Sequence, residues 1–277
     1  MLRYGLTGGV IILLTLVLLC SKAAFASQMQ LGQWQVGVNL GYGKVTNPLY
    51  GGDDLNLYVI PDVAYYTDTW YLDNTQLGYT FVDSSNHVLS AIFEINPHAR
   101  YFVKWHPSNI FALQSSALAV ESQSPKYIDI NDLDTRRWAL DGGFEYHYFS
   151  DFGQISLTMV ADVSDVYRGQ RAQLGWRKTV SLNSWLIEPS FGVQYSSNEL
   201  NTYYYGFSEL EALELGKQTL GSSVHPYVKI DISYLLTQHT ALRLHFHYVD
   251  FNSLAKQSLL FESEQSVTAF LGVKYVY

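Results

Sequence analysis

Cysteine is nearly absent from this chain. The single one, Cys20, lies in the first 26 residues, so the remainder has no disulfide, no thiolate nucleophile and no cysteine metal ligand. Residue 19, before it, is the large Leu19, whereas a lipid-attachment site wants a small residue there. Positive charge is also scarce. Lys and Arg total 17 against 25 Asp and Glu, a formal net charge of -8, and no basic stripe exists to neutralise phosphates. A nucleic-acid partner is therefore not expected. After the first 26 residues no stretch approaches 18 consecutive apolar residues, which excludes a bundle of membrane-crossing helices. Glycine-rich phosphate loops, Cys/His zinc spacings and nucleophile elbows are missing too, so no cofactor and no enzyme class is indicated.

The first 26 residues read as a secretory signal peptide. Arg3 supplies the positive start, Val10 to Leu19 a short apolar core, and Ala24-Phe25-Ala26 a small-x-small cleavage site before Ser27. The apolar core is shorter than the roughly 20 residues a spanning helix needs. Residues 27–277 are then expected to form one domain.

What the chain does have is aromatic residues, 15% of the total with 22 Tyr, and a persistent period of two. Successive side chains of a strand point to opposite faces, so alternation of apolar and polar residues marks a sheet with one apolar side. In residues 34–43, Trp34, Val36, Val38, Leu40 and Tyr42 alternate with Gln35, Gly37, Asn39, Gly41 and Gly43. In 55–65, Leu55, Leu57, Val59, Pro61, Val63 and Tyr65 share a face. Residues 89–105 keep one phase, with Leu89, Ala91, Phe93, Ile95, Ala99, Tyr101, Val103 and Trp105 outward. Ser90, Glu94, Asn96, His98, Arg100 and Lys104 face the other way. In 137–148, Trp138, Leu140, Phe144, Tyr146 and Tyr148 oppose Arg137, Asp141, Glu145 and His147. Segments 155–164, 171–180, 185–195 and 224–234 behave likewise. In 241–250, Leu242, Leu244, Phe246 and Tyr248 oppose Arg243, His245 and His247.

These segments are about ten residues long, the length a tilted strand needs to cross a bilayer, whereas strands in soluble domains are mostly about five or six. Their connections alternate between short and long, as periplasmic turns and outer loops do in outer-membrane barrels. The chain ends on SVTAFLGVKYVY, residues 266–277, apolar on the odd positions and finishing on Tyr277. Gly272, Tyr275 and Tyr277 resemble the terminal signal read by the barrel-assembly machinery. This strand is expected to pair with the first, since closure leaves no edge in lipid. The fold expected is all-β: an antiparallel transmembrane β-barrel in the outer membrane, bounded by lipid. Eleven segments are visible, and residues 70–81 change phase near Asp73-Asn74-Thr75, by a bulge or a short extra strand there or in 106–135. Twelve strands are expected, with ten as the alternative. Ser208 and Glu211 have capping-box spacing and predict a short helix over 209–215.

Tyr203-Tyr204-Tyr205-Gly206, following SSNE at 196–199 and a long strand, resembles the outer-membrane family of the MltA-interacting protein and OmpV. Tyr50-Gly51-Gly52-Asp53-Asp54 is similar to that family's Y-x-G-S-D-D, one residue shorter. The resemblance spans the chain after residue 26 and is strongest over 133–277. It implies an outer-membrane barrel and, for the named member, a scaffold joining a murein transglycosylase to a murein synthase. Other members are described as antigens, adhesins or small-molecule channels. The periplasmic surface available for a scaffold is residues 27–33 and the short turns.

The candidate lumen-facing polar residues are Arg137, Asp141, Glu145, His147, Glu188, Lys229, Asp231, Arg243, His245, His247 and Lys274. They form either a selective passage or a salt-bridged plug, because charges taken out of water must be paired. His245 and His247, two apart on a strand, point the same way, as metal ligands or as partnered lumen histidines. His225, Asp231 and nearby serines supply hydrolase residue types without fixing their geometry. Tyr203 to Tyr205 form either an outer binding surface or an interface belt. Asp129, Asp132 and Asp134 resemble a calcium-loop fragment without its standard spacing. Three functions follow: a non-enzymatic scaffold, a narrow channel for small polar solutes, and a surface-binding protein.

Overall fold

The computed structural model describes residues 31–102, 127–212 and 215–277, so the expected signal peptide lies outside the described residues, as do Val103, Lys104 and Trp105. The strands are β1 (Trp34–Val45), β2 (Leu55–Tyr66), β3 (Trp70–Asp73), β4 (Gln76–Asp83), β5 (His87–Ile95), β6 (Leu140–Ser150) and β7 (Gly153–Asp162). β8 is Gln170–Arg177, resumed at Val180–Leu182, and it is followed by β9 (Trp185–Ser196), β10 (Ser223–Leu235), β11 (Thr240–Asp250) and β12 (Gln265–Val276). Both pieces of β8 lie along β9. The break falls opposite Pro189, which has no N–H to donate to the ladder. Neighbours pair antiparallel all the way round, and β12 closes on β1 from Gly37↔Val276 to Val45↔Thr268. The barrel has twelve strands.

The twelfth strand was hidden in the phase change at 70–81. The chain folds back at Asn74, which takes a left-handed φ of 50° and donates its N–H to the Val63 carbonyl. Strands β3 and β4 then pair from Trp70↔Tyr79 to Asp73↔Gln76. β3 lies alongside only Ala64–Tyr66 of β2.

Two expected phases are corrected. β2 slips register against β1 between Leu40 and Gly43. Tyr58 therefore stays outward beside the Tyr42 ring, while Leu55 and Leu57 turn inward against Val45 and Phe270. Those two leucines do not share the face of Val63 and Tyr65. The phase predicted for 89–105 ends at Ile95. Asn96 caps a 3-10 turn over Pro97–Tyr101, its Oδ1 accepting from the His98 N–H at 2.9 Å. Ala99 and Tyr101 are consequently buried instead of facing lipid.

The outside is apolar and exposed: Leu40, Leu77, Phe144, Leu157, Met159, Phe191, Leu244 and Leu271 ring the barrel. Water would penalise that surface and hydrocarbon does not. Aromatics gather at the end carrying the short turns, with Trp34, Tyr65 and Trp70 packed ring to ring and Trp185 on Tyr234. The core lies inside the other end. There helix α1 (Asn198–Tyr205), the one-turn α2 (Asn252–Ala255) and the 3-10 turn fold into the mouth. They bury Tyr204, Tyr205, Leu200, Leu254 and Leu260 against Tyr227, Phe251 and Phe261.

Candidate functional site: the capped lumen

The cap begins with a serine. Ser197 accepts from the Leu200 N–H and starts α1, and its hydroxyl also takes the Gln170 N–H, tying the helix to β8. Asn201 then donates to the Gly221 carbonyl and the Ser223 hydroxyl, pulling the helix against the start of β10. The Tyr203-Tyr204-Tyr205 motif is thus helical. Tyr204 and Tyr205 are fully buried, so these two belong neither to an outer binding surface nor to an interface belt. Tyr205 shares a 2.7 Å hydrogen bond with Nδ1 of His98, and Tyr204 donates to the Arg137 carbonyl. Burial, with Arg171, His225 and Arg100 nearby, holds the His98 imidazole well below its ordinary pKa. Of the helix expected over 209–215, residues 209–211 form a turn and 213–214 lie outside the described residues. Glu211 Oε2 does accept from the Ser208 N–H at 2.7 Å, but its Oε1 takes Arg136 at 2.7 Å. Arg136 also donates to the Gly206 carbonyl at the end of α1.

Arg137, expected in the lumen, sits exposed on the outer rim, its N–H bonded to the Tyr203 hydroxyl. The alternation had been extended three residues too far, because β6 starts only at Leu140. The other ten proposed lumen residues lie on inward positions of their strands. Strand pairing sets them against partners from neighbouring strands. Asp231 receives Arg243 at 3.1 Å, His245 at 2.8 Å and Lys229 at 3.2 Å. Lys274 pairs with Asp62. Glu145 takes His147 at 3.2 Å, Thr158 and the Tyr71 hydroxyl. His147 continues through Gln154 to Arg177. Glu188 accepts from Thr179, and His247 packs edge-on to Tyr227.

Arg171 was missed as a site residue, although its alternation with Gln173 on β8 could have placed it inside. It binds Asp141 at 2.6 Å and also Glu94, while Asp141 further accepts from Tyr167 and Asn96. Beneath the cap, Glu94, His98, Arg171, Gln173, Gln194 and Thr75 surround a cavity of about 250 Å³. The hydrolase residue types do not assemble into a Ser/His/acid set. Ser223 and His225 hydrogen-bond at 2.8 Å but are sealed inside the cap, and Asp231 is engaged by His245. Among the described residues no cluster of three His, Cys, Asp or Glu is placed to hold a metal. Asp129 instead caps a short 3-10 turn, accepting from the Asn131 N–H.

The closing strand explains two residues of the expected terminal signal. A Cβ on Gly272 would stand 2.5 Å from the Leu40 carbonyl and 2.7 Å from the Phe270 ring, so only glycine lets β12 approach β1 there. Tyr277 is 90% exposed and donates its N–H to the Val36 carbonyl.

Two relatives align over most of the chain. The putative outer membrane protein YiaT of Escherichia coli K12 is 23% identical over 241 residues, covering 86% of this chain and 90% of its own. The MltA-interacting protein of the same organism is 24% identical, covering 80% and 81%. Among solved structures, an outer membrane channel from Pseudomonas putida F1 aligns with a TM-score of 0.44 at 11% identity, covering 93% of this chain and all of that one. The family model described as MltA-interacting protein MipA matches residues 40–277. With its outward apolar girdle and closed ladder, this chain is an outer-membrane β-barrel, and it belongs to the MipA family.

Proposed function

We propose that the barrel is a non-enzymatic scaffold, fixing a murein transglycosylase, and a murein synthase with it, at the periplasmic face of the outer membrane. The observation that carries this reading is the filled mouth: α1 and its tyrosines occupy the outer end of the lumen, and the acids and bases below are mostly paired to one another. A barrel so closed serves as an anchor better than as an open pore. The name of the E. coli relative supports the partner. The test uses the purified barrel as bait for a purified murein transglycosylase, with planar-bilayer recording on the same preparation. Specific capture with conductance near that of bare bilayer is expected. No capture, together with steady ion flow, would overturn the reading.

A second reading, a narrow path for small polar solutes, has one observation in its favour. The cavity under the cap is lined by carboxamides and an internally neutralised Arg171–Glu94 pair, which suits an uncharged hydrogen-bonding solute.

A further inference from the structure

We propose that the cavity beneath the cap is a binding site for one neutral sugar ring. The site rests on the second reading above, in which small polar solutes reach the lumen. The cavity measures about 250 Å³, the volume of about eight waters. Strand register assembles its wall, with Gln194 opposite Gln173 and Ser196 opposite Arg171. Much of the hydrogen-bonding capacity of that wall has no partner among the described residues. Glu94 gives one carboxylate oxygen to Arg171 and keeps Oε2 open. His98 engages the Tyr205 hydroxyl through Nδ1, so its Nε2 is open. Gln194 donates to Gln173 at 3.2 Å, leaving its own Oε1 and second N–H, and Gln173 donates to the Tyr227 hydroxyl at 3.3 Å with one N–H to spare. The Ser196 hydroxyl, one inward position above Gln194 on β9, is likewise open to the cavity.

This mixture of donors and acceptors selects the ligand. An ammonium group only donates and an ionised carboxylate only accepts, whereas a hydroxyl does both. The charges select in the same direction. Glu94, and Asp141 behind Arg171, are offset by Arg171 and by Arg100 on the 3-10 turn. A charged solute would give up its hydration without gaining an uncompensated counter-charge. The hydroxyls of a sugar replace the hydrogen bonds of water one for one. The space is also bounded in height. The Tyr227 ring from β10 lies across Gly192, where a Cβ would stand 2.8 Å from it. It thereby fills the level of the wall directly beneath Gln173 and Gln194, and the 3-10 turn with His98 bounds the space above. Such a compartment fits one ring rather than a chain of them.

The test is saturation-transfer NMR on the full barrel in detergent with glucose, glucosamine and glucuronate, the same ring with no charge, a positive charge and a negative one. Glucose is expected to bind, and both charged sugars to bind more weakly. Gln194→Leu should weaken glucose binding about fivefold, the value of one neutral hydrogen bond. Heat-modifiable gel mobility establishes that the variant is folded. If it is not, Ser196→Ala should give a similar loss. No glucose binding by the wild type, or unchanged affinity in a folded variant, would overturn the site. Tighter binding of glucosamine or glucuronate would overturn the neutral assignment. Glucose binding without glucose entry into proteoliposomes would uphold the site and overturn only the path.

Discussion

Single residues carry opposite roles according to which way a strand turns them. Leu244 and His245 are adjacent, yet Leu244 is exposed to lipid while His245 hydrogen-bonds Asp231 in the lumen. An arginine on the lipid face near mid-membrane costs roughly 2–4 kcal/mol. His245→Leu removes one of three partners of Asp231 and leaves Arg243 and Lys229 in place. Leu244→Arg should therefore lower the folded fraction in detergent micelles far more than His245→Leu, read as heat-modifiable mobility. Equal yields would reverse the assigned faces. Gly272→Val should be worse than either, because its side chain would occupy the space of the Leu40 carbonyl and the Phe270 ring. The expected sign is loss of the β1–β12 seam, seen as fast proteolysis of the refolded chain.

At the scale of elements, the cap and the closing strand answer to different forces. The cap is packed from aromatics around α1, so Tyr205→Ala removes a fully buried ring and the His98 hydrogen bond. Deleting a buried aromatic costs roughly 3–5 kcal/mol. The cap should loosen before the strand ladder does, giving a rise in bilayer conductance without loss of the folded gel band. His98 adds a pH dependence of definite sign. Its folded pKa lies well below its unfolded value, chiefly through burial and then through Arg171, His225 and Arg100. Above the unfolded value, about 6.5, His98 is neutral in both states and the cap keeps its full stability. As pH falls below about 6.5 the opened state binds the proton first, and stability is lost toward the folded pKa. The protection factors of α1 amides, which correct for the pH dependence of intrinsic exchange, should fall between pH 7 and pH 5, and His98→Gln should flatten that response.

The closing strand is a question of assembly. Tyr277 contributes one exposed side chain and one backbone hydrogen bond, so its deletion should hardly alter refolding of purified protein in detergent. In cells the same deletion should lower outer-membrane levels, because the terminal aromatic is part of the expected assembly signal. Fractionation and heat-modifiable mobility, measured together, separate these. Normal outer-membrane levels would sink the signal assignment, and failure in both settings would make Tyr277 structural.

For the whole molecule, the period of two was sufficient to read the barrel class, the outward girdle and the pairing of last strand with first. Alternation is a one-dimensional record of which solvent each face meets, and lipid enforces it along every strand. The twelfth strand was legible only as a fault in that record at Asp73-Asn74-Thr75, which a bulge would also produce. The partners of the lumen charges were not legible. His245 and Asp231 are fourteen residues apart, and Arg171 lies 77 residues from Glu94, so only strand register brings them together. Nor was the fate of Tyr203 to Tyr205. Their sequence reads equally well as interface belt or outer surface, and the structure shows neither for Tyr204 and Tyr205. The choice fell to Ser197 and Asn201, which turn the helix inward, and to a mouth wide enough that burying those rings removes more apolar surface from water than leaving them outside. Local pattern decides the face of a strand, whereas the filling of the space enclosed by twelve strands depends on all of them at once.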